Sequence, residues 1–128
     1  MLDLTFAVQN LPGVCVISVA GEIDSVTARE FDRYIQRNRR APGEHVVIDL
    51  SEVTFLASAG LRVLLNTHAF ARQHGAVLHL AAPHPKIAGI MELTQANTVL
   101  HVHDTVEQAV IAALQQAGAR EKTLTQAT

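Results

Sequence analysis

One serine in this chain stands where enzymes often place a nucleophile. Ser58 follows an apolar stretch that ends at Leu50, and it precedes a run with helical spacing that begins at Leu61. Serine hydrolases carry the nucleophile on such a strand-to-helix turn, which needs a glycine two residues before and two residues after the serine. Leu56 and Gly60 hold those positions, so only half of the motif is present. The spacing therefore argues against a serine hydrolase.

Histidines raise a second chemistry, metal binding. The chain has seven, and His101 and His103 would point to the same side of one predicted strand, with His79 on the strand before it. No His-x-x-x-His pair with a helical carboxylate accompanies them, and the one cysteine, Cys15, excludes a four-cysteine zinc site. We therefore predict no metal, histidines that lie at strand ends on the surface, and a buried, inert Cys15.

Phosphate and cofactor chemistry finds little support elsewhere in the sequence. Neither Gly-x-Gly-x-x-Gly nor Gly-x-x-x-x-Gly-Lys-Ser/Thr occurs, so no nucleotide cradle of these types is predicted. Asp49 ends a predicted strand, as the phosphoacceptor of a receiver domain does, but it lacks the adjacent acids that hold a divalent cation. We expect a protein that is not an enzyme and needs no cofactor.

Length and charge bound the remaining classes. The 128 residues suit one domain, and twelve acids against ten bases exclude the broad basic surface of a non-specific nucleic-acid binder. Uninterrupted apolar runs such as Val14–Ile17 are far shorter than the ~20 residues that span a bilayer. The N-terminus has no basic segment before an apolar one, so it does not read as a signal peptide. We expect a cytoplasmic domain with neither a nucleic-acid nor a membrane partner.

The elements that must position these residues alternate between strand and helix periodicity. The predicted order is β-β-α-β-α-β-α-β-α, with strands at Leu2–Gln9, Val14–Ala20, Val46–Leu50, Val77–Ala81 and Val99–Val102, and helices at Asp24–Arg40, Ser58–His74, Lys86–Thr94 and Asp104–Ala117. This order predicts an α/β fold with a mixed, mostly parallel five-stranded sheet and about four helices. We expect one domain over residues 1–118 and a disordered tail over 119–128, because Gly118 should end the last helix.

Two segments at the ends of the second and third strands resemble a known family. They are Gly21–Ala28, which contains Gly-Glu-Ile-Asp and then Thr-Ala, and Val47–Leu61, which contains Val-Thr-Phe-Leu-Ala-Ser-Ala-Gly-Leu. Together they resemble the STAS domain of bacterial anti-sigma factor antagonists, a domain shared with the tails of sulfate transporters. The resemblance continues to the helix Ile90–Thr94 and covers roughly residues 4 to 115.

The resemblance implies a function and a set of site residues. A member of this family binds a serine-kinase-type anti-sigma factor and frees the sigma factor. The kinase, which supplies the ATP site, inactivates it at a serine that matches Ser58, and a phosphatase restores it. Ala57 and Ala59 depart from the pattern, which has Asp and Ser or Thr there, and Gln95 stands where Gly is frequent. We expect the partner-binding surface to comprise Glu22, Ile23, Asp24, Thr27, Phe55, Leu56, Ala57, Ala59 and Gly60.

Local physics leaves Ser58 with two roles. As the N-cap of a helix, its hydroxyl would accept a backbone N–H. As a phosphoacceptor, it would carry about two negative charges that a helix N-terminus tolerates and that a partner packed against it does not. The alternative function keeps the fold and makes the domain a docking subunit of a transporter or another assembly, with Ser58 only a cap.

Overall fold

The five strands lie side by side in chain order, β1 to β5. The computed structural model describes the backbone of residues 3–126 and the side chains of residues 3–120. The strands are β1 Thr5–Leu11, β2 Val14–Ile23, β3 His45–Leu56, β4 Leu78–Ala81 and β5 His101–His103, and the helices are α1 Ala28–Asn38, α2 Ser58–Gln73, α3 Pro85–Leu93 and α4 Val106–Gln126, with a short 3-10 turn at Ala96–Thr98.

The sheet is mixed, as the sequence predicted. β1 pairs antiparallel with β2 through a turn at Gly13, whose φ of 72° lies in the left-handed region that glycine adopts without strain. The β2–β3, β3–β4 and β4–β5 pairs are parallel. Because β2 and β3 stay paired as far as Ile23 and Leu56, both family-like segments end at the same edge of the sheet.

Helices cover the two faces of the sheet unequally. The larger core lies under α1, α2 and α3, and its buried side chains from these helices include Phe31, Leu64 and Met91. The smaller core lies under α4, where Ala109 and Ala113 pack on strand valines. The small side chains of α4 let its backbone approach the sheet closely. Within residues 3–126, no helix carries an apolar stretch long enough to cross a membrane.

Several predicted boundaries move. β3 was predicted over Val46–Leu50 but continues to Leu56, because Val53 is buried and pairing with β2 persists through two register shifts. α1 begins at Ala28 rather than Asp24, because residues 24–27 form a turn that precedes the helix. β5 covers His101–His103 instead of Val99–Val102.

The last helix shows the largest difference from prediction. α4 passes Gly118 and reaches Gln126, so residues 119–126 are helical and the predicted disordered tail is wrong for them; residues 127 and 128 lie outside the described part. Gly75, which does end a helix, has a φ of 72°, whereas Gly118 does not have the positive φ of that terminating conformation. A glycine at an open helical position weakens a helix without ending it.

Candidate functional site

A tight turn joins β2 to α1 at the edge of the sheet where both family-like segments end, called here the site edge. The backbone N–H groups of Val26 and Thr27 each donate to Asp24 Oδ1 at 2.9 Å. In return, Thr27 Oγ1 accepts the N–H of Asp24 at 2.9 Å and donates to the carbonyl of Glu22 at 2.8 Å. The hydrogen bonds from Thr27 and Val26 lower the pKa of Asp24. Thr27 is the N-cap residue of α1, but its hydroxyl is turned toward this loop and does not cap the helix.

The start of α2 is fastened to the same turn. The N–H of Ala57 donates to the carbonyl of Ile23 at 2.8 Å, which links the β3–α2 junction to the end of β2. Gly60, in the first turn of α2, packs directly against Ile23 and Leu56. A Cβ at this position would fall 2.6 Å from Ile23 Cγ2 and 2.7 Å from Leu56 Cδ1. Only glycine fits at this position without displacing both side chains, so Gly60 sets the seat of α2.

Ser58 is exposed at the N-terminus of α2. It is the first helical residue, whereas Ala57, in extended conformation at φ −83° and ψ 171°, holds the N-cap position. The N-cap role predicted for Ser58 is therefore wrong by one residue. No side chain caps this helix, and its first turn contains no acid. Among the described residues, the Ser58 hydroxyl makes no hydrogen bond.

Exposed apolar side chains surround Ser58. Phe55 is 43% exposed, and a cleft of about 320 Å³ lies between the β3–α2 junction and α3. Ile90 of α3 and Thr94, which follows α3, line that cleft together with Ser58. Leu93, on the same helix, is 88% exposed. The surface therefore combines an apolar centre with polar atoms at its rim, which is the usual anatomy of a protein interface.

The structure divides the predicted partner-binding residues into two groups. Phe55 and Glu22 are exposed, and Asp24, Ala57 and Ala59 are partly exposed. Ile23, Thr27, Leu56 and Gly60 are buried, although Leu56 still lines the cleft beside Ser58. Their part in partner binding stays a prediction. Leu56 is the residue that fills the core beneath α2, and Phe55 is not.

Three residues at the end of α3 were missed by sequence reasoning. Ile90 lines the cleft from α3, Thr94 lines it from the C-cap position after α3, and Leu93 between them is exposed. One signal was available: Met91 is buried and Leu93 is two residues further on, so a helix with both apolar must show one of them to solvent.

Comparison with known proteins places this architecture. The family model of the STAS domain matches residues 5–109. The chain belongs to the STAS domain family. It is similar to the anti-sigma F factor antagonist of Paenibacillus polymyxa, with 23% identity over 113 residues that cover 85% of this chain and 94% of that one.

Solved structures agree with this STAS assignment. An anti-sigma factor antagonist from Mycobacterium paratuberculosis has 32% identity and a TM-score of 0.76, over 87% of this chain and 94% of that chain. The murine Solute Carrier 26 family member A9 anion transporter has 17% identity and a TM-score of 0.72, over 84% of this chain and 18% of that chain. At this lower identity the likeness to the transporter is one of fold.

The backbone conformation of Gln95 explains why the STAS pattern often has glycine at this position. This residue follows α3 with φ 60° and ψ 16°, the left-handed conformation that costs a non-glycine residue roughly 1–2 kcal/mol. The family often places glycine here, so Gln95 carries a strain that glycine would remove. The departure affects the end of α3 and leaves Ser58 untouched.

Two histidines of this STAS domain, His79 and His103, lie side by side and form a hydrogen-bonded chain with Gln116. His79 is 2% exposed, and its Nδ1 lies 2.9 Å from His103 Nε2 while its Nε2 lies 2.8 Å from Gln116 Oε1. Burial lowers the pKa of His79 to about 4, with the hydrogen bond to Gln116 acting in the opposite direction. The predicted surface position of His79 is therefore wrong. Within the described residues, no three His, Cys, Asp or Glu side chains form a metal-binding group.

Proposed function

We propose that this protein is an anti-sigma factor antagonist, not an enzyme. It binds a serine-kinase-type anti-sigma factor in the cytoplasm through the surface around Ser58, and this binding frees the sigma factor. The kinase phosphorylates Ser58 and thereby ends the interaction, and a phosphatase restores it. The named relatives of similar length support the antagonist role.

One observation carries the assignment of Ser58. Its hydroxyl is exposed and without an internal hydrogen bond, at the rim of the apolar surface formed by Phe55 and the α2–α3 cleft. A serine whose role is structural would bond a backbone N–H of its own helix, and this one does not. The side chain is thus available to a kinase and to a partner.

The electrostatics of the α2 start suit a reversible phosphate. With Ala57 as the N-cap, no side-chain oxygen occupies the first N–H groups of the helix. Those groups and the positive end of the helix dipole favour an anion placed on Ser58. The phosphate would therefore leave the fold intact, while a docked partner would have to desolvate about two negative charges. An on/off switch follows from local charge alone.

Phosphosite mapping tests the proposal. The purified chain is incubated with ATP and the serine-kinase anti-sigma factors of the same cell, and the products are analysed by mass spectrometry. We expect phosphate on Ser58 and none in the Ser58→Ala variant. Ser51 and Thr54 are the matched alternative acceptors, since both lie on β3 within seven residues of Ser58. Phosphate on either of these, or on none of the three, contradicts the assignment.

The departures at Ala57 and Ala59 favour one second candidate. A STAS domain without the usual acid and second hydroxyl beside its serine would suit a permanent docking subunit, and the fold likeness to an anion transporter is compatible with that role. Such a subunit would co-purify with its assembly and would remain unphosphorylated. Phosphorylation of Ser58 coupled to partner release would eliminate this candidate.

A further inference from the structure

A second cleft lies at the opposite end of β3 from Ser58. It has a volume of about 400 Å³, within the range of small-molecule sites. Its walls are formed by residues of the β1–β2 turn, the α1–β3 loop, β3 and α4: Gly13, Ala41, Gly43, Glu44, His45, Ala117 and Arg120. The surface around Ser58 contributes no side chain to it, so an occupant here would act independently of that surface.

His45, one of the residues that line this cleft, has a buried hydrogen-bond donor without a partner among the described residues. The side chain is 3% exposed, and its Nδ1 accepts the N–H of Val77 at 3.1 Å. Burial lowers the pKa of His45, so the ring is neutral at pH 7 and the proton resides on Nε2. Nε2 is buried and has no partner among the described residues. A buried donor without an acceptor destabilises the folded state, which is a reason to look for its acceptor.

The charged side chains around the cleft favour binding of an anion. Arg120 Nη1 donates to the carbonyl of Gly43 at 3.1 Å, an uncharged acceptor. Glu44 is the one carboxylate among the described lining residues, and Arg40 pairs with it through Nε and Nη2. The burial of Cys15, which raises its pKa to about 11, keeps that nearby thiol neutral. The positive charge of Arg120 is therefore not balanced by a lining acid.

We propose that this cleft binds a small organic carboxylate, whose oxygens accept hydrogen bonds from His45 Nε2 and the Arg120 guanidinium. The carboxylate supplies the acceptor that His45 lacks and the negative charge that Arg120 lacks. Ala41, Ala117 and the glycines leave room for a short apolar body. A phosphate ester would bring a second negative charge next to Glu44, so a monoanion fits better.

Entry requires a movement of one side chain. Nε2 of His45 has no contact with solvent, and Arg120, which lines the same cleft, is exposed. A rotation of the Arg120 side chain breaks its hydrogen bond to Gly43 and replaces it with a charge-assisted one to the ligand, which is stronger. Arg120 thus exchanges a backbone acceptor for the ligand.

NMR titration with sodium hexanoate tests the proposal on the whole chain. At pH 7 and constant ionic strength, we expect saturable shifts of the Gly13, Gly43 and Val77 amides and a shift of the His45 Nε2 resonance. The neutral analogue hexanamide should bind at least tenfold more weakly. The ring resonance reads His45 directly, without a substitution that could affect folding.

Two arginine variants complete the test. Arg120→Gln should weaken hexanoate binding at least tenfold, and Arg33→Gln, which changes an exposed arginine on α1, should leave it unchanged. Absence of saturation up to 50-fold excess, or equal binding by both variants, overturns the proposal. Neither outcome bears on phosphorylation of Ser58, since these readouts report the other end of the sheet.

Discussion

The two helix starts at the site edge are built in opposite ways. The turn before α1 is closed on itself, because Asp24 accepts two backbone N–H groups and the buried Thr27 binds back to Glu22. The start of α2 is open, with Ala57 at the N-cap and Ser58 exposed. Yet the two are joined by one backbone hydrogen bond from Ala57 to Ile23.

The difference separates the holding of a site from its use. In the α1 turn, the side chains of Asp24 and Thr27 form hydrogen bonds with the turn's own backbone. The turn is therefore rigid and leaves few polar atoms free for a partner. The α2 start leaves a hydroxyl and its first N–H groups unoccupied by side chains, so an anionic group on Ser58 would have backbone donors nearby. A closed turn beside an open helix start gives a switch residue a fixed position.

The largest expected effect comes from filling the contact between the two starts. Gly60→Ala places a methyl group within van der Waals overlap of Ile23 and Leu56, and should lower the free energy of unfolding by about 2–3 kcal/mol. Gly89→Ala is the matched control in α3, where an added Cβ meets nothing within 4 Å, and it should be neutral or stabilising. Urea denaturation of both variants measures this. Equal effects would show that α2 is not seated through Gly60.

The next effect opens the closed turn. Thr27→Val keeps the shape of the side chain but removes its hydroxyl bonds to Glu22 and Asp24, and should cost about 1–2 kcal/mol of stability. Thr54→Val is the control, because its hydroxyl is exposed and lies 3.5 Å from its acceptor; it should change stability by less than about 0.5 kcal/mol. Thermal unfolding distinguishes them. A Thr27 variant as stable as wild type would remove the claim of rigidity.

A smaller effect closes the open start. Ala57→Asp puts a carboxylate at an N-cap of suitable extended conformation, and should raise stability by about 1 kcal/mol. Ala57→Asn is the control that caps without charge and separates hydrogen bonding from the dipole term. If neither variant gains stability in urea denaturation, the N-terminus of α2 is satisfied in another way.

The smallest effect is a local response to acid at the α1 turn. The bonds from Thr27 and Val26 lower the pKa of Asp24, so they are fully formed above the unfolded value of about 3.9 and are lost as the pH falls through the lower folded value. Amide resonances of Val26 and Thr27 should shift in that window, while those of Ser58 and Ala59 follow only global unfolding. Asp24→Asn should abolish the local shift; its persistence would assign the titration to another group.

Much of the fold follows from periodicity. The order of strands and helices and the mixed sheet were predicted correctly, because alternation of period two with helical spacing is strong over most of the chain. Boundaries failed where tertiary contacts override local signals. β3 runs on to Leu56 only because β2 lies beside it, and α4 runs past Gly118 although glycine usually favours an end.

The sequence predicted where the candidate site lies better than it predicted which of its residues are exposed. Ser58 and Phe55 both belong to the second family-like segment, Val47–Leu61, and both are exposed. Which apolar residue faces solvent depends on the register of β3 with β2, so Leu56 could not be assigned to the core from sequence. The contribution of Leu93 depends on where α3 lies relative to α2, a long-range arrangement that the spacing of Met91 and Leu93 on the helix does not specify.

Titration calorimetry of the anti-sigma factor tests the central claim most directly. The protein is compared in its unmodified form and after complete phosphorylation on Ser58, with Ser58→Ala treated with the same kinase as the control. We expect roughly a hundredfold weaker binding on phosphorylation, about 2.8 kcal/mol, with unchanged affinity for the alanine variant and the same thermal stability throughout. Equal affinities of the phosphorylated and unmodified forms would contradict it.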